Sequence, residues 1–64
     1  MTKKQRVLEW IKREPITQIQ ATHSIRTTRL AALIKELRDE GWNIRTEDVT
    51  EGRTTYARYH LIKD

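Results

Sequence analysis

The stretch that most restricts how this chain can fold is residues 27–40, where Leu30, Leu33, Ile34 and Leu37 recur at i, i+3, i+4 and i+7. That spacing lines four aliphatic side chains along one side of a 3.6-residue helix, so the line is expected to be core. Successive steps of about 100° put Thr28, Ala32 and Lys35 on the opposite side, with Arg29 and Ala31 flanking them. The outer face of the first two turns is therefore small, hydroxylic and basic, and no carboxylate appears before Glu36. Glu36, Asp39 and Glu40 crowd the last turn, where they oppose the helix dipole and repel phosphate. Only the front of this helix suits an anionic partner.

Charge along the chain is divided in the same sense. The total is 13 Lys+Arg against 9 Asp+Glu, a net +4. Residues 1–35 hold eight bases and two acids, net +6, whereas residues 36–64 hold five bases and seven acids, net −2. A basic front half beside a near-neutral back half is the layout of a nucleic-acid-binding module, although a merely solvated basic surface gives the same count.

Length excludes several function classes. A chain of 64 residues forms a single domain, and at that size only about 60% of the unfolded surface is buried, so a deep catalytic cleft would consume the core. With no cysteine, neither a disulfide framework nor a thiolate zinc site is expected, which fits a reducing cytoplasm. No long apolar run or signal-peptide core is present, so the protein is expected to be soluble and intracellular, without a membrane partner. His23 and His60 lack metal-ligand spacing, and no Ser/His/Asp set, glycine-rich phosphate loop or carboxylate pair stands out. No catalytic residue, metal, cofactor or small-molecule ligand is expected.

In chain order, Thr2-Lys3-Lys4-Gln5 has the form of a capping box and starts a first helix. Val7, Leu8, Trp10 and Ile11 form its buried face. Pro15 disfavours a helical Glu14, giving a helix over about 3–13. Thr17-Gln18-Ile19-Gln20 is a second capping box, with Ile16 placed to staple against Ala21. Ser24 and Ile25 leave that helix short, about 17–23, and Thr27 offers the cap of the third, about 27–40. Short helix, turn and long amphipathic helix are the parts of a helix-turn-helix, with Ile25 plugging the angle between the two helices. Gly41 is expected as the left-handed helix cap. Trp42, Ile44 and Thr46 then alternate with Asn43, Arg45 and Glu47, and Thr55, Ala57, Tyr59 and Leu61 with Tyr56, Arg58 and His60. Strands over about 42–48 and 54–62 therefore pair as a hairpin turning near Glu51-Gly52, and Ile16 is a candidate for a third short strand. Trp10, Trp42 and Tyr59 are expected in the core. Arg45, Tyr56 and Arg58 are expected in cross-strand cation-π and packing pairs on the outer sheet face.

The order helix, short helix, turn, helix, hairpin resembles the winged helix-turn-helix. The passage Leu30-Ala31-Ala32-Leu33-Ile34-Lys35-Glu36-Leu37-Arg38-Asp39-Glu40-Gly41-Trp42-Asn43-Ile44 is similar to the recognition-helix-to-wing segment of that superfamily: an apolar helix ending in Leu-Arg, then Gly, then an aromatic and an aliphatic opening the wing. Tyr56-Ala57-Arg58-Tyr59-His60-Leu61 resembles the second wing strand of a small group of such domains from phages and prophages. The resemblance spans about residues 3–62 and implies an α+β, mainly α fold of three helices and a hairpin wing. Many helix-turn-helix proteins carry a Gly in the turn, whereas Thr22-His23-Ser24-Ile25-Arg26 has none, so a longer or differently shaped turn is expected.

The resemblance implies double-stranded DNA as partner, with the third helix in the major groove and the wing on the backbone or in the minor groove. Thr28, Ala32 and Lys35 are then expected at base edges, Ala31 near thymine methyls, and Arg29 or Lys35 donating to guanine. Arg26 and Thr27, at the helix start, are expected at phosphates, with Lys3 and Lys4 adding contacts from the first helix. Arg53 beside Gly52 is the wing's candidate, although Glu47, Asp48 and Glu51 make the wing a weak anion binder. The implied role is a small transcriptional regulator or a phage excision or replication accessory factor, with a homodimer or a cooperative assembly on DNA as a further partner expectation. The competing reading is a winged-helix protein-interaction module. RNA or left-handed DNA readers call for Asn and Tyr on the third helix, which is without them.

Overall fold

The computed structural model describes residues 2–62. Helix α1 (Lys3–Arg13) begins at the expected capping box: the Gln5 amide donates to Thr2 Oγ1 at 3.1 Å and the Thr2 amide to Gln5 Oε1 at 3.0 Å. It stops where Pro15 forces Glu14 into extended backbone, φ −158° and ψ 160°. Val7 and Ile11 are fully buried, with Leu8 and Trp10 packed at the margin. Strand β1 (Ile16–Thr17) follows, the third strand that Ile16 suggested. A second reciprocal capping box joins Thr17 and Gln20 at the start of α2 (Gln18–Gln20).

Regular α-helical bonding in α2 lasts one turn. The backbone then widens into a π-helical turn over Ala21–Ile25, which carries the coil two residues beyond the expected end and leaves both Ala21 and Ile25 buried. Ser24 and β-branched Thr22 and Ile25 are weak α-formers, so the wider coil gives up little. Helix α3 (Leu30–Asp39) begins two residues later than the Thr27 cap predicts. The reason is local: Thr27 Oγ1 accepts from the Arg29 amide, only two residues on, at 3.1 Å, closing a side-chain turn in place of a first helical turn.

At its other end α3 closes as expected at Gly41, φ +104°. The Gly41 amide donates to the Arg38 carbonyl at 3.0 Å and the Trp42 amide to the Leu37 carbonyl at 3.1 Å, the two bonds of a Schellman reversal. Strands β2 (Ile44–Glu51) and β3 (Thr54–Leu61) form the hairpin, and the sheet order is β1-β3-β2, antiparallel throughout. Glu51 pairs with Thr54, so the loop is Gly52-Arg53. A positive φ of 59° at Gly52 alone is the pattern of a two-residue II′ turn. Thr46, expected inward, is exposed, because β2 leaves the core after Ile44.

One apolar cluster serves every element except α2: Val7, Ile11, Ile16, Ala21, Ile25, Leu30, Ile34, Leu37 and Ile44, with Leu33, Trp10, Trp42, Tyr59 and Leu61 packed against it. Nothing lies within 4 Å of where a Gly41 side chain would sit, so Gly41→Ala tests backbone strain by itself. The substitution is expected to destabilise the domain by about 1–2 kcal/mol, read as a lower urea midpoint at unchanged m-value.

Candidate nucleic-acid interface

Leu30, Ile34 and Leu37 are 0%, 1% and 1% exposed, so α3 is locked with that ridge inward. Ala31, Ala32 and Lys35 stand exposed on its outer surface. Thr28 and Arg29 are exposed as well, but they precede the helix instead of riding on its first turn. The front end presents a short irregular hydroxylic and basic segment running into a small-residue helix face. Arg29 caps α3 by its backbone only, with no side-chain acceptor closing the first turn.

Thr27 contributes little to that surface. It is 5% exposed, its hydroxyl is engaged by the Arg29 amide, and its carbonyl accepts from Gln18 Nε2 at 3.0 Å. A buried hydroxyl must find a partner, and this one finds it in the Arg29 amide at the start of α3. Gln18 also donates to Thr22 Oγ1 at 2.9 Å, so one amide braces α2 against the turn. Arg26 supplies the conformation for which a glycine is absent: φ 61°, ψ 46°, with its amide returning to the Ala21 carbonyl. The Arg26 side chain is exposed, as is that of Arg29 three residues on.

The two lysines of α1 part company. Lys3 shares a groove of about 450 Å³ with Thr27, Arg29, Ala32, Leu33 and Glu36, so it does join the front of α3. Lys4 is ion-paired with Glu40 at the far end of α3. The hydrogen bond it donates to the Glu40 carboxylate holds the Lys4 ammonium above the usual lysine pKa, desolvation opposing it only in part. Arg53 stands apart, exposed at the hairpin tip. The groove near the front of α3 therefore unites Lys3, Arg29 and Ala32, while Lys4 and Arg53 lie outside it.

On the outer sheet face, the pairs involve carboxylates in place of cation-π contacts. Glu47 Oε1 lies 2.9 Å from His60 Nε2 and 3.6 Å from Arg58 Nη1. The Tyr56 hydroxyl donates to Glu51 at 2.8 Å, which raises the phenol above its ordinary pKa. The cation-π pair that does form sets Lys12 over Trp42, 5.2 Å from the ring centre. Residue-by-residue reading missed two contributors, Gln18 and Arg38. Arg38 lies in the Leu-Arg pair before Gly41, and its guanidinium bonds the first wing strand. The only cue in the chain is a lone base among the acids of the last turn.

An amphipathic helix preceded by a shorter helix and tight turn, and followed by an antiparallel hairpin rooted in the same core, defines a winged helix. The chain matches the model of the winged helix-turn-helix domain family over residues 2–64 and belongs to that family. Its fold is typically non-catalytic and associated with DNA binding in general. No curated protein and no solved structure matches the chain. None of the helices among the described residues is long and apolar enough to cross a membrane.

Relief of the left-handed backbone at position 26 is directly measurable. Arg26→Gly is expected to raise stability by about 1 kcal/mol, seen as a melting temperature higher by roughly 4–8 °C, since glycine adopts this conformation without steric cost.

Proposed function

We propose that the protein binds double-stranded DNA sequence-specifically, with α3 in the major groove and the wing on the backbone or in the minor groove. The observation that carries this reading is the exposure of Thr28, just ahead of α3, and of Ala32 and Lys35 on it, while the aliphatic ridge of that helix is buried. Small side chains let the helix approach the base edges, and Lys35 supplies a donor for guanine N7 or O6. Ala31 is placed for thymine methyls. Arg26, Arg29 and Lys3 are the phosphate and base-edge cations at the front, aided by the uncapped amides that start α3. Arg53 at the wing tip makes a single groove or phosphate contact. Lys4, engaged by Glu40, contributes least.

In the cell this activity makes the protein a small transcriptional regulator or an accessory factor in phage excision or replication, acting in the cytoplasm near the nucleoid. A lone domain with so few base contacts gains specificity from a second copy on adjacent DNA. A protein-interaction role has one observation in its favour: Ile19 on α2 is 61% exposed beside a groove lined by Pro15, Tyr56 and Arg58.

Titrating labelled duplex, including the region upstream of the protein's own gene, at two salt concentrations separates the readings. Lys35→Gln is expected to cost about 1–3 kcal/mol of discrimination at one base pair. Lys3→Gln should weaken all duplexes alike and lower the salt slope by about 1. Arg26→Gly should bind more weakly even though it is the more stable protein. Wild-type affinity for duplex that is weak and independent of salt would overturn the proposal in favour of a protein partner.

A further inference from the structure

The end of α3 is tied to the wing by one side chain. Arg38 Nε donates to the Ile44 carbonyl at 3.0 Å and Nη2 to the Thr46 hydroxyl at 2.9 Å. Among the described residues no other α3 side chain hydrogen-bonds to the hairpin. The direction of the Ile44 carbonyl follows from the register. The Asn43 carbonyl accepts from the Ile62 amide at 2.8 Å, and Glu51 and Thr54 close the turn. By antiparallel alternation Arg45, Glu47, Val49 and Glu51 exchange bonds with β3, whereas Ile44, Thr46, Asp48 and Thr50 turn their backbone groups toward the free edge. Arg38 occupies that edge at its root.

The position matters because the wing is a lever. Ile44 is the only buried residue of β2, and the strand then runs exposed, Val49 aside, to the turn. β1 pairs with β3 only at Tyr59 and Arg58, opposite Thr46 and Glu47, so the outer part of β2, Asp48 to Glu51, at about 3.3 Å per residue is an arm of roughly 13 Å, and a swing of about 10° shifts the tip by roughly 2 Å. Such a shift is enough to lose a phosphate contact. Apolar packing of Trp42, Ile44 and Leu61 holds the root in place but is non-directional, and the pairing of β1 orients the sheet from the β3 side alone, leaving the β2 edge to Arg38. The planar fork of a guanidinium, bonded at two points, sets an angle that an ammonium cannot.

We infer that Arg38 is a positioning residue that fixes the angle between the recognition helix and the wing, so that both meet DNA as one body, and that it makes no DNA contact itself. The consequence for DNA rests on the function proposed above, whereas the clamp is a property of the free protein.

The test uses the full chain with spin labels at Lys35→Cys and Arg53→Cys. With Arg38 present, the distance distribution in the free protein is expected to be narrow. In Arg38→Lys and Arg38→Gln it should broaden alike, and in Thr46→Val, an exposed position outside the DNA surface, it should broaden in part, each variant keeping a wild-type far-ultraviolet spectrum. On unlabelled protein with a bound duplex, both Arg38 variants should lose the wing's hydroxyl-radical footprint, retain that of α3, and bind about tenfold more weakly. If Arg38→Lys keeps both the narrow distribution and the wing footprint while only Arg38→Gln weakens binding, Arg38 acts by charge and the inference is overturned. An unchanged distribution in Thr46→Val and both Arg38 variants overturns it equally. Broadened distributions in a protein whose wild type binds no duplex uphold the clamp and reject the DNA reading alone.

Discussion

Burial of the ridge Leu30, Ile34 and Leu37 is the contact on which the molecule depends. At about 1.5–3 kcal/mol for each fully buried aliphatic side chain, the three contribute roughly 5–9 kcal/mol. That is the size of the whole net stability of a small domain, about 5–15 kcal/mol. A helix so held cannot roll about its axis, and what it shows to solvent is decided by what it hides. Ile16 and Ile44 join the same cluster, so the roots of β1 and β2 are referenced to the ridge as well. Recognition helix and wing share one core, and neither has an independent seat.

The entry into α3 shows where local and distant forces divide. The capping pairs Thr2 with Gln5 and Thr17 with Gln20, and the reversal at Gly41, were legible in the chain because each is settled within a few residues. Thr27 was legible as a capping residue, but not that its hydroxyl would close on Arg29 and delay the helix to Leu30. Nor does any local rule put an arginine in the left-handed region. Ile25 and Thr27 on either side of Arg26 are both buried, and a chain that must bury both neighbours across a tight turn takes the strained conformation between them. Tertiary packing overrides the residue's own preference by more than the roughly 1–2 kcal/mol the conformation costs.

Charge was legible as a division along the chain but not as pairs in space. The pair Lys4 and Glu40 spans 36 positions in sequence, and the grouping of Glu47 with Arg58 and His60 requires a register that alternation alone leaves open. Exposed ion pairs of this kind add little stability, with a median near 0–1 kcal/mol. Their effect is on the field. Lys4 is neutralised at the rear of α3, and Arg58 is drawn to the outer sheet face. Of the front-half bases, Lys3 and Arg29 share the groove at the start of α3, Arg26 precedes that helix and Lys35 lies on it, while Arg6, Lys12 and Arg13 lie on α1. The +6 of residues 1–35 overstates the strength of that patch but points to its place.

The rear of α3 joins helix to wing through an unbroken sequence of bonds. The Trp42 amide returns to Leu37, the Gly41 amide to Arg38, and the Arg38 side chain reaches on to Ile44 and Thr46. Residues 37–46 thus form one unit in which the end of the helix and the start of β2 hold each other. The acids that make this end unfit for phosphate, Glu36, Asp39 and Glu40, border that unit, and one of them anchors α1 through Lys4. Front and rear of one helix therefore divide the work: the first turns are left small, basic and uncovered, while the last is committed to carrying the wing. A helix acidic at both ends could be held as firmly but would present nothing to an anion, and one basic at both ends would lose the Glu40 tie.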